Sequence, residues 1–333
     1  MKNFIVITTI NAPTEAVLAF SKLPDFQLVV VGDRKTPRDW SCPNTAFLAA
    51  DAPATARFAL SRALPYNHYC RKMLGYLHAF SLNADSVVDT DDDNIPKGNW
   101  RFPSFTGDYD QIPAAAEQPR FVNIYRYYTR AHIWPRGLPL RLINDKGELR
   151  APAVARQAQV GVWQGLADED PDVDAIYRLT CDVPCQFAER APLVLEQRVV
   201  TPFNSQNTMF RKPLFPLLYL PATVTFRFTD ILRGLVAQPI MWLHGYRLGF
   251  VDATVVQKRN PHDYFKDFVS EIPMYEHVEK VVDLVQAAIA PGDSVAANLR
   301  SAYVALAANA IVKNEELPIL DAWLDDMGAG GIR

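Results

Sequence analysis

Four carboxylates crowd into five consecutive positions of this chain: Asp89, Asp91, Asp92 and Asp93, in the run Ser86-Val87-Val88-Asp89-Thr90-Asp91-Asp92-Asp93-Asn94. The apolar lead-in reads as a short strand. Alternate side chains of a strand share a face, so Asp89, Asp91 and Asp93 are expected to point the same way. Carboxylates held that close repel one another, and without a counter-charge they protonate or splay apart. A divalent cation is the usual remedy, with oxygen ligands suited to Mg²⁺, Mn²⁺ or Ca²⁺. The bland alternative is a solvated acidic turn after an edge strand, because Asp and Asn are common in turns. The apolar lead-in favours a buried strand that delivers the cluster to a cleft.

The residues before the cluster set its frame. Phe4 to Thr8 and Phe26 to Val31 are nearly unbroken apolar strands, Ala46 to Leu48 a brief third, and Ser86 to Asp89 a fourth. Amphipathic stretches at Thr14 to Lys22 and Asn67 to Ser81 read as helices between them. Such alternation predicts an α/β fold with a mostly parallel sheet covered by helices on both faces. Ligands of such sheets collect at the carboxyl ends of the strands. Three polar clusters sit just past strand ends: Thr8-Thr9-Ile10-Asn11, Gly32-Asp33-Arg34-Lys35 and the acidic run. They are expected to converge on one site.

Further along, Pro96 to Pro152 is rich in proline and aromatics and reads as long loops around a strand at Phe121 to Tyr128. Loops of that length are uncommon unless functional. Asp168 to Asp174 reads as an acidic loop, Ala175 to Leu179 as a strand or helix start, and Thr229-Asp230 as the opening of an apolar helix. Glu276 to Ala290 and Val295 to Met327 are amphipathic helical segments. The chain is therefore expected to divide into a catalytic domain over 1–275 and a helical extension over 276–333, with the extension a lid, a dimer element or plain core.

Composition excludes several classes. Lys and Arg number 34 against 37 Asp and Glu, a net charge of −3, so no basic excess points to nucleic acid. The apolar segments around Leu214 to Leu220 and Leu235 to Leu243 fall well short of the ~20 residues a membrane span needs. Four cysteines are too few for a disulfide scaffold in 333 residues, and Cys181-x-x-x-Cys185 lacks the second pair of a zinc site. Reduced thiols and a cytoplasmic location are the expectation. There is no Gly-x-x-x-x-Gly-Lys loop and no Gly-x-Gly-x-x-Gly, which disfavours P-loop nucleotidases and dinucleotide dehydrogenases.

A metal at strand ends beside basic groups is suited to holding a diphosphate. Arg34, Lys35, Arg71 and Lys72 are the nearest candidates to neutralise it; their alternatives are a solvated turn and an exposed helix face. His262 in Asn260-Pro261-His262-Asp263 is a candidate nitrogen ligand or a plain loop histidine. Asp230 reads as a general base, a sugar-hydroxyl acceptor or a helix N-cap. Asp168-Glu169-Asp170 with Asp172 belongs either to the site or to an acidic surface. Phe203-Asn204-Ser205-Gln206-Asn207-Thr208 suits sugar hydroxyls, though turns use the same residues.

Taken together, Leu64-Pro65-Tyr66-Asn67-His68-Tyr69-Cys70-Arg71-Lys72-Met73-Leu74-Gly75-Tyr76-Leu77, Asp89 to Asn94, Asp168 to Thr180, Phe203 to Thr208 and Thr225 to Gly234 resemble the STELLO family of plant glycosyltransferase-like proteins. A looser similarity links Asp91-Asp92-Asp93 and the Asp230 segment to reversibly glycosylated polypeptides, which act as nucleotide-sugar mutases. The resemblance implies a GT-A-type, Rossmann-like fold with a C-terminal helical extension. It also implies an Asp-x-Asp motif holding Mn²⁺ or Mg²⁺ on a nucleotide diphospho-sugar, with a carbohydrate acceptor. Asp91 and Asp93 carry that motif over, with Asp89 and Asp91 as the alternative register. Asp33 falls where the base is contacted, with Thr8, Asn11, Lys35, Arg71 and Lys72 around the nucleotide. Asp230 falls at the acceptor-side carboxylate, and Asp168 is the second candidate for base. The N-terminal anchor of the plant proteins is not seen in this sequence, which fits the cytoplasmic expectation. A glycosyltransferase of glycan or cell-surface polysaccharide synthesis is the leading expectation. A mutase and a non-catalytic scaffold are the alternatives, and a homo-oligomer is left open.

Overall fold

The computed structural model describes residues 1–114, 120–258 and 262–329. Its first third contains β1 (Asn3–Thr9), α1 (Glu15–Phe20), β2 (Phe26–Gly32), β3 (Thr45–Leu48), the single turns α2 (Pro53–Ala56) and α3 (Leu60–Ala63), α4 (Met73–Ser81) and β4 (Ser86–Thr90). These four strands run parallel in the order β3-β2-β1-β4. The chain winds outward from β1 to β3 and then returns to place β4 on β1's other side. That reversal opens a crevice between the carboxyl ends of β1 and β4.

Alternation within the strands accounts for their unbroken apolar sequences. Phe4, Val6, Val29 and Val31 pack with α4 in the larger core, while Ile5, Ile7, Leu28 and Val30 pack with Val17 and Phe20 of α1 in a second one. Both faces are covered, as expected. The α4 helix can lie close because it carries Gly75, where a Cβ would sit 2.6 Å from the Val6 side chain.

Beyond β4 the sheet becomes mixed. The further elements are β5 (Asn94–Pro96), β6 (Thr106–Ile112), β7 (Arg120–Phe121), β8 (Ala153–Glu169), α5 (Ala175–Thr180), β9 (Leu193–Leu195), β10 (Val199–Val200), β11 (Asn207–Arg211), α6 (Thr229–Leu243) and β12 (Arg247–Gln257). The β11 strand runs antiparallel to both β4 and β8 and so brings its start, with Asn204 and Gln206 just before it, to the carboxyl end of β4. The β12 strand lies parallel to β8 and antiparallel to β5, whose Asn94 pairs with Gln257.

Two expectations need correction, and one left open between strand and helix is decided. Phe121 to Tyr128 is not a strand: after two strand residues it forms a 3-10 turn over Ile124–Tyr127, because the Asn123 carboxamide accepts from the Tyr125 amide at 3.1 Å. Asp168 and Glu169 end the long β8 rather than starting a loop. The segment at Ala175 is helical, capped by Asp174, whose side chain accepts from the Tyr177 amide at 2.9 Å.

The C-terminal helices are α7 (Tyr264–Ala288), α8 (Val295–Ala308) and α9 (Glu316–Ala329). The α7 helix begins twelve positions before the expected start at Glu276 and runs unbroken through residues 275 and 276, the expected domain boundary. Its Val278, Val281 and Val285, with Leu299, Tyr303 and Trp323 of α8 and α9, share the larger core with α4 and α6. Asn260 and Pro261 of the expected polar turn lie outside the described residues. Among the described residues no helix is long and apolar enough to cross a membrane.

One buried carboxylate fastens this region to the segment that leads into α6. Glu316 is fully buried and accepts from the amides of Ala222 (2.9 Å) and Thr223 (2.7 Å), the Thr223 hydroxyl (2.6 Å) and the Tyr219 hydroxyl (2.5 Å). Each donor stranded in the core is worth about 1–3 kcal/mol. Glu316→Ala should therefore lower the free energy of unfolding in urea by roughly 3 kcal/mol or more; a loss below about 1 kcal/mol would show that water takes over the vacated contacts.

Candidate functional site

The carboxyl ends of β1, β2 and β4 open into a cleft of about 430 Å³. Thr8, Thr9, Ile10 and Asn11 line it from β1, Asp33 and Lys35 from β2, and Asp91, Asp92 and Asp93 from β4. The three polar clusters thus meet as the strand pattern predicts. Across from them stand Asn204 and Gln206, the start of α6 with Phe226, Arg227 and Asp230, and Gln257 from β12. His262 contributes from the approach to α7.

Within the acidic turn each carboxylate has a different environment. Asp89 does not face the cleft. It is completely buried, paired with Lys72 Nζ at 2.6 Å on one oxygen and with Arg233 at 2.6 Å on the other. Burial opposes its charge, but Lys72 and Arg233 outweigh that and hold the carboxyl below its usual range. The expectation that Asp89 shares the cleft with Asp91 and Asp93 therefore fails, because two interior cations claim it. Asp91 accepts from Lys72 (2.9 Å) and from the Tyr69 hydroxyl (2.8 Å), both on Oδ1. Burial raises the Asp91 carboxyl, and Lys72 opposes this only in part. Asp92 is taken up locally, accepting from Thr9 and, at 3.1 Å, from Asn11. Asp93 accepts from Asn94 and Gln257, each at 3.1 Å. Burial, reinforced by repulsion from Asp91, pushes its carboxyl up to about 7.

Lys72 and Arg71 also differ from expectation. Neither is on an exposed helix face and neither lines the cleft. Both are buried, Lys72 behind the acidic turn and Arg71 behind Asp33 at 3.9 Å, where its guanidinium stacks over Tyr66. Among the described residues Lys35 is an exposed cation at the cleft, and Arg34 also stacks over the Tyr66 ring at 3.6 Å.

Asp168 is likewise absent from the cleft. It is buried, paired with Lys97, and accepts from the Phe187 amide at 2.9 Å. The acidic residue of that region that does reach the cleft is Asp172. It shares Arg136 with Asp230: the guanidinium reaches Asp172 with two bonds of 2.8 Å and Asp230 with two of 3.0 Å. Burial works against Asp172, but Arg136 overrides it and lowers the carboxyl. Asp230 is not the N-cap of α6, a place held by Phe228, but lies in the first turn, where it also accepts from the Ser205 amide at 3.2 Å. His262 sits at the rim, bonded to Asp267 at 3.0 Å.

Sequence reasoning missed Arg136, Tyr69, Phe226 and Gln257. For Arg136 the available signal was the long proline-rich loop around Trp134-Pro135-Arg136-Gly137. Gly137 adopts φ +87°, and a Cβ there would lie 2.5 Å from Ile231, so the loop can press against α6 only with glycine at that position.

Residues 227–333 match the family model of STELLO glycosyltransferases. "Probable glycosyltransferase STELLO1" of Arabidopsis thaliana is 28% identical over 346 aligned positions, covering 99% of this chain and 45% of that protein. "Probable glycosyltransferase STELLO2" of the same plant is 30% identical, covering 74% of this chain and 34% of that protein. These matches support a STELLO-like assignment for the chain. The chain spans less than half the length of either relative. The family model covers Arg227, Asp230, Gln257 and His262 of the cleft, and the alignment with the first relative extends over nearly all the rest. Among solved structures, a mycobacterial protein matches 87% of this chain and 76% of its own at 11% identity and a TM-score of 0.39, a likeness too slight to bear on fold or function.

The Asp93 environment has a consequence for pH. Its folded carboxyl titrates near 7 against an ordinary 3.8, so the folded state holds a proton that the unfolded state has released, and stability falls as pH rises through that window. Asp93→Asn should be near wild type in stability at about pH 4 and more stable than wild type at about pH 7. Parallel stability curves for the two proteins across that range would contradict the half-buried, repelled carboxyl.

Proposed function

We propose that this cleft binds a nucleotide diphospho-sugar and transfers the sugar to an acceptor hydroxyl. The observation that carries the reading is the meeting of Asp91, Asp93 and Lys35 at strand ends, opposite Asp230 and Asp172. The likeness to STELLO glycosyltransferases supports the reaction class, and a volume of about 430 Å³ falls in the usual range for small-molecule sites.

The donor set fits a divalent cation of the Mg²⁺ or Mn²⁺ kind that draws part of its shell from the ligand. Among the described residues no three His, Cys, Asp or Glu side chains are grouped to hold a metal by themselves. Asp91 keeps Oδ2 free of described protein partners, and Asp93 is a half-buried carboxyl repelled by its neighbour, with no cation among its partners in the described residues. Two carboxylates plus substrate phosphates is a common arrangement for Mg²⁺. Asp91 and Asp93 would hold the ion, with His262 near enough to the cleft to be a further candidate. The ion supplies charge stabilisation for the departing diphosphate.

The chain's own groups divide the remaining work. Lys35 meets the phosphates from the β2 side, while Asp33, Thr8 and Asn11 line the nucleoside end. Gln206, whose NH2 already donates to Gln257, offers its carboxamide oxygen to sugar hydroxyls, while Asn204, engaged by Gln164, Gln206 and Asp172, has one N–H left among the described residues. On the acceptor wall, among the described residues, Asp230 Oδ2 takes donors from Arg136 and Ser205, whereas Oδ1 takes one, from Arg136. Oδ1 therefore has a lone pair for the incoming hydroxyl, and Asp230 is the candidate base. Arg136 orients that carboxylate but has its N–H groups engaged by Asp172, Asp230 and the Arg227 carbonyl, so it is not a phosphate ligand.

Calorimetric titration with uridine and guanosine diphosphates, with and without Mn²⁺, tests this reading. Metal-dependent binding of at least one is expected, and it should be lost in Asp91→Ala and in Asp93→Ala. Unchanged binding in both variants would sink the metal assignment. No binding of either nucleotide by the wild-type chain would instead favour a scaffold that keeps the fold without the chemistry.

A further inference from the structure

Lys72 occupies an unusual place for a cation beside a site that we read as binding a cation. It is fully buried and absent from the cleft wall. Its ammonium pairs with Asp89 at 2.6 Å and donates to Asp91 Oδ1 at 2.9 Å, to the Thr90 carbonyl at 2.5 Å and to the Tyr69 hydroxyl at 3.1 Å. Asp89 is itself fixed from behind by Arg233, whose other arm donates to the Asn204 carbonyl at 3.0 Å. Lys72 is therefore anchored on a rigid support and cannot swing out to a phosphate without leaving the buried Asp89 Oδ1 unpaired.

Two effects of opposite sign follow. By Coulomb's law a fixed ammonium next to Asp91 weakens the attraction for a second cation. By geometry it fixes the carboxylate's rotamer, which favours binding by removing a reorganisation cost. Tyr69 separates the two. Its hydroxyl is neutral, yet it donates to the same oxygen, Oδ1, at 2.8 Å. A neutral donor brings no net charge to repel a cation, yet it does add to orientation.

We propose that Lys72, from behind the acidic turn, and Tyr69, from the cleft wall, are positioning residues that lock Asp91 Oδ1 and leave Oδ2 as the one oxygen Asp91 turns to a cation in the cleft. This rests on the metal reading of the site given above. It assigns Lys72 a role different from the phosphate contact its sequence position suggests, and gives Tyr69 a role where none was evident.

The test is Mn²⁺ binding in the presence of uridine diphosphate, followed by calorimetry and by the electron paramagnetic resonance signal of free Mn²⁺. Wild type, Tyr69→Phe and Lys72→Met are compared, with thermal unfolding as the check on folding. Loss of a partner that orients a metal ligand typically weakens metal affinity about 10- to 100-fold, and a shift of that size is expected in both variants. Lys72→Met is the sharper case, because loss of a positive charge alone would tighten Mn²⁺ binding. Unchanged or tighter binding in that variant overturns the role of Lys72. Should Lys72→Met not fold, Tyr69→Phe decides, since it removes one hydroxyl and no charge; wild-type Mn²⁺ affinity there overturns the proposal. Absence of Mn²⁺ binding by the wild type overturns the metal reading and this inference together. Binding by the wild type that both variants match overturns this inference alone.

Discussion

Everything at this site hangs on the buried chain Lys72–Asp89–Arg233. Burying a carboxylate is costly unless it is paired and its remaining oxygens are satisfied. Here a single aspartate is paired twice, by a lysine just before α4 and an arginine in α6. The pairing fastens the end of β4 to two helices from distant parts of the sequence. It also decides which carboxylates reach the cleft: Asp89 is held inside, Asp91 is held by one oxygen, and Asp93 is left to Asn94 and Gln257. The repulsion that makes the acidic run conspicuous is thus half compensated within the protein. The uncompensated half faces the cleft.

The wall across from the turn uses the same device. Arg136 pairs with Asp172 and Asp230, and Arg227 beside it pairs with Glu271 of α7 at 2.8 Å. Arg233 and Asp230 lie three residues apart on α6, so one helix connects the cation that holds the acidic turn to the carboxylate of the opposite wall. Gly234, next to Arg233, allows this approach: a Cβ there would lie 2.5 Å from the Phe203 carbonyl oxygen. The two walls are therefore set by a common element, and changes in α6 are expected to be felt on both.

Much of the frame was legible because it is local. The four parallel strands announce themselves by apolar runs, and their polar followers, Thr8 to Asn11, Asp33 with Lys35, and Asp91 to Asp93, reach the cleft because parallel strands end on the same side. Partners far apart in sequence were not legible. Arg233 lies 144 positions from Asp89, and Arg136 lies 36 and 94 positions from Asp172 and Asp230. No spacing rule connects them. Asp168 was misplaced because β8 is broken up by Gly161, Gly165 and polar residues such as Gln157 and Gln164, which hide a 17-residue strand. Its side chain turns to Lys97, while Asp172, four positions later, turns to the cleft. Lys72 was misread for a similar reason: beside an acidic cluster a lysine suits a phosphate, and only the fold shows that it is walled off.

The most direct measurement is the anomalous scattering of Mn²⁺ in crystals grown with uridine diphosphate. The account predicts one peak in the cleft beside Asp91 Oδ2 and Asp93, with Asp89 still paired to Lys72 and Arg233. A peak coordinated by Asp89, or nucleotide bound elsewhere with no metal at the acidic turn, would contradict it.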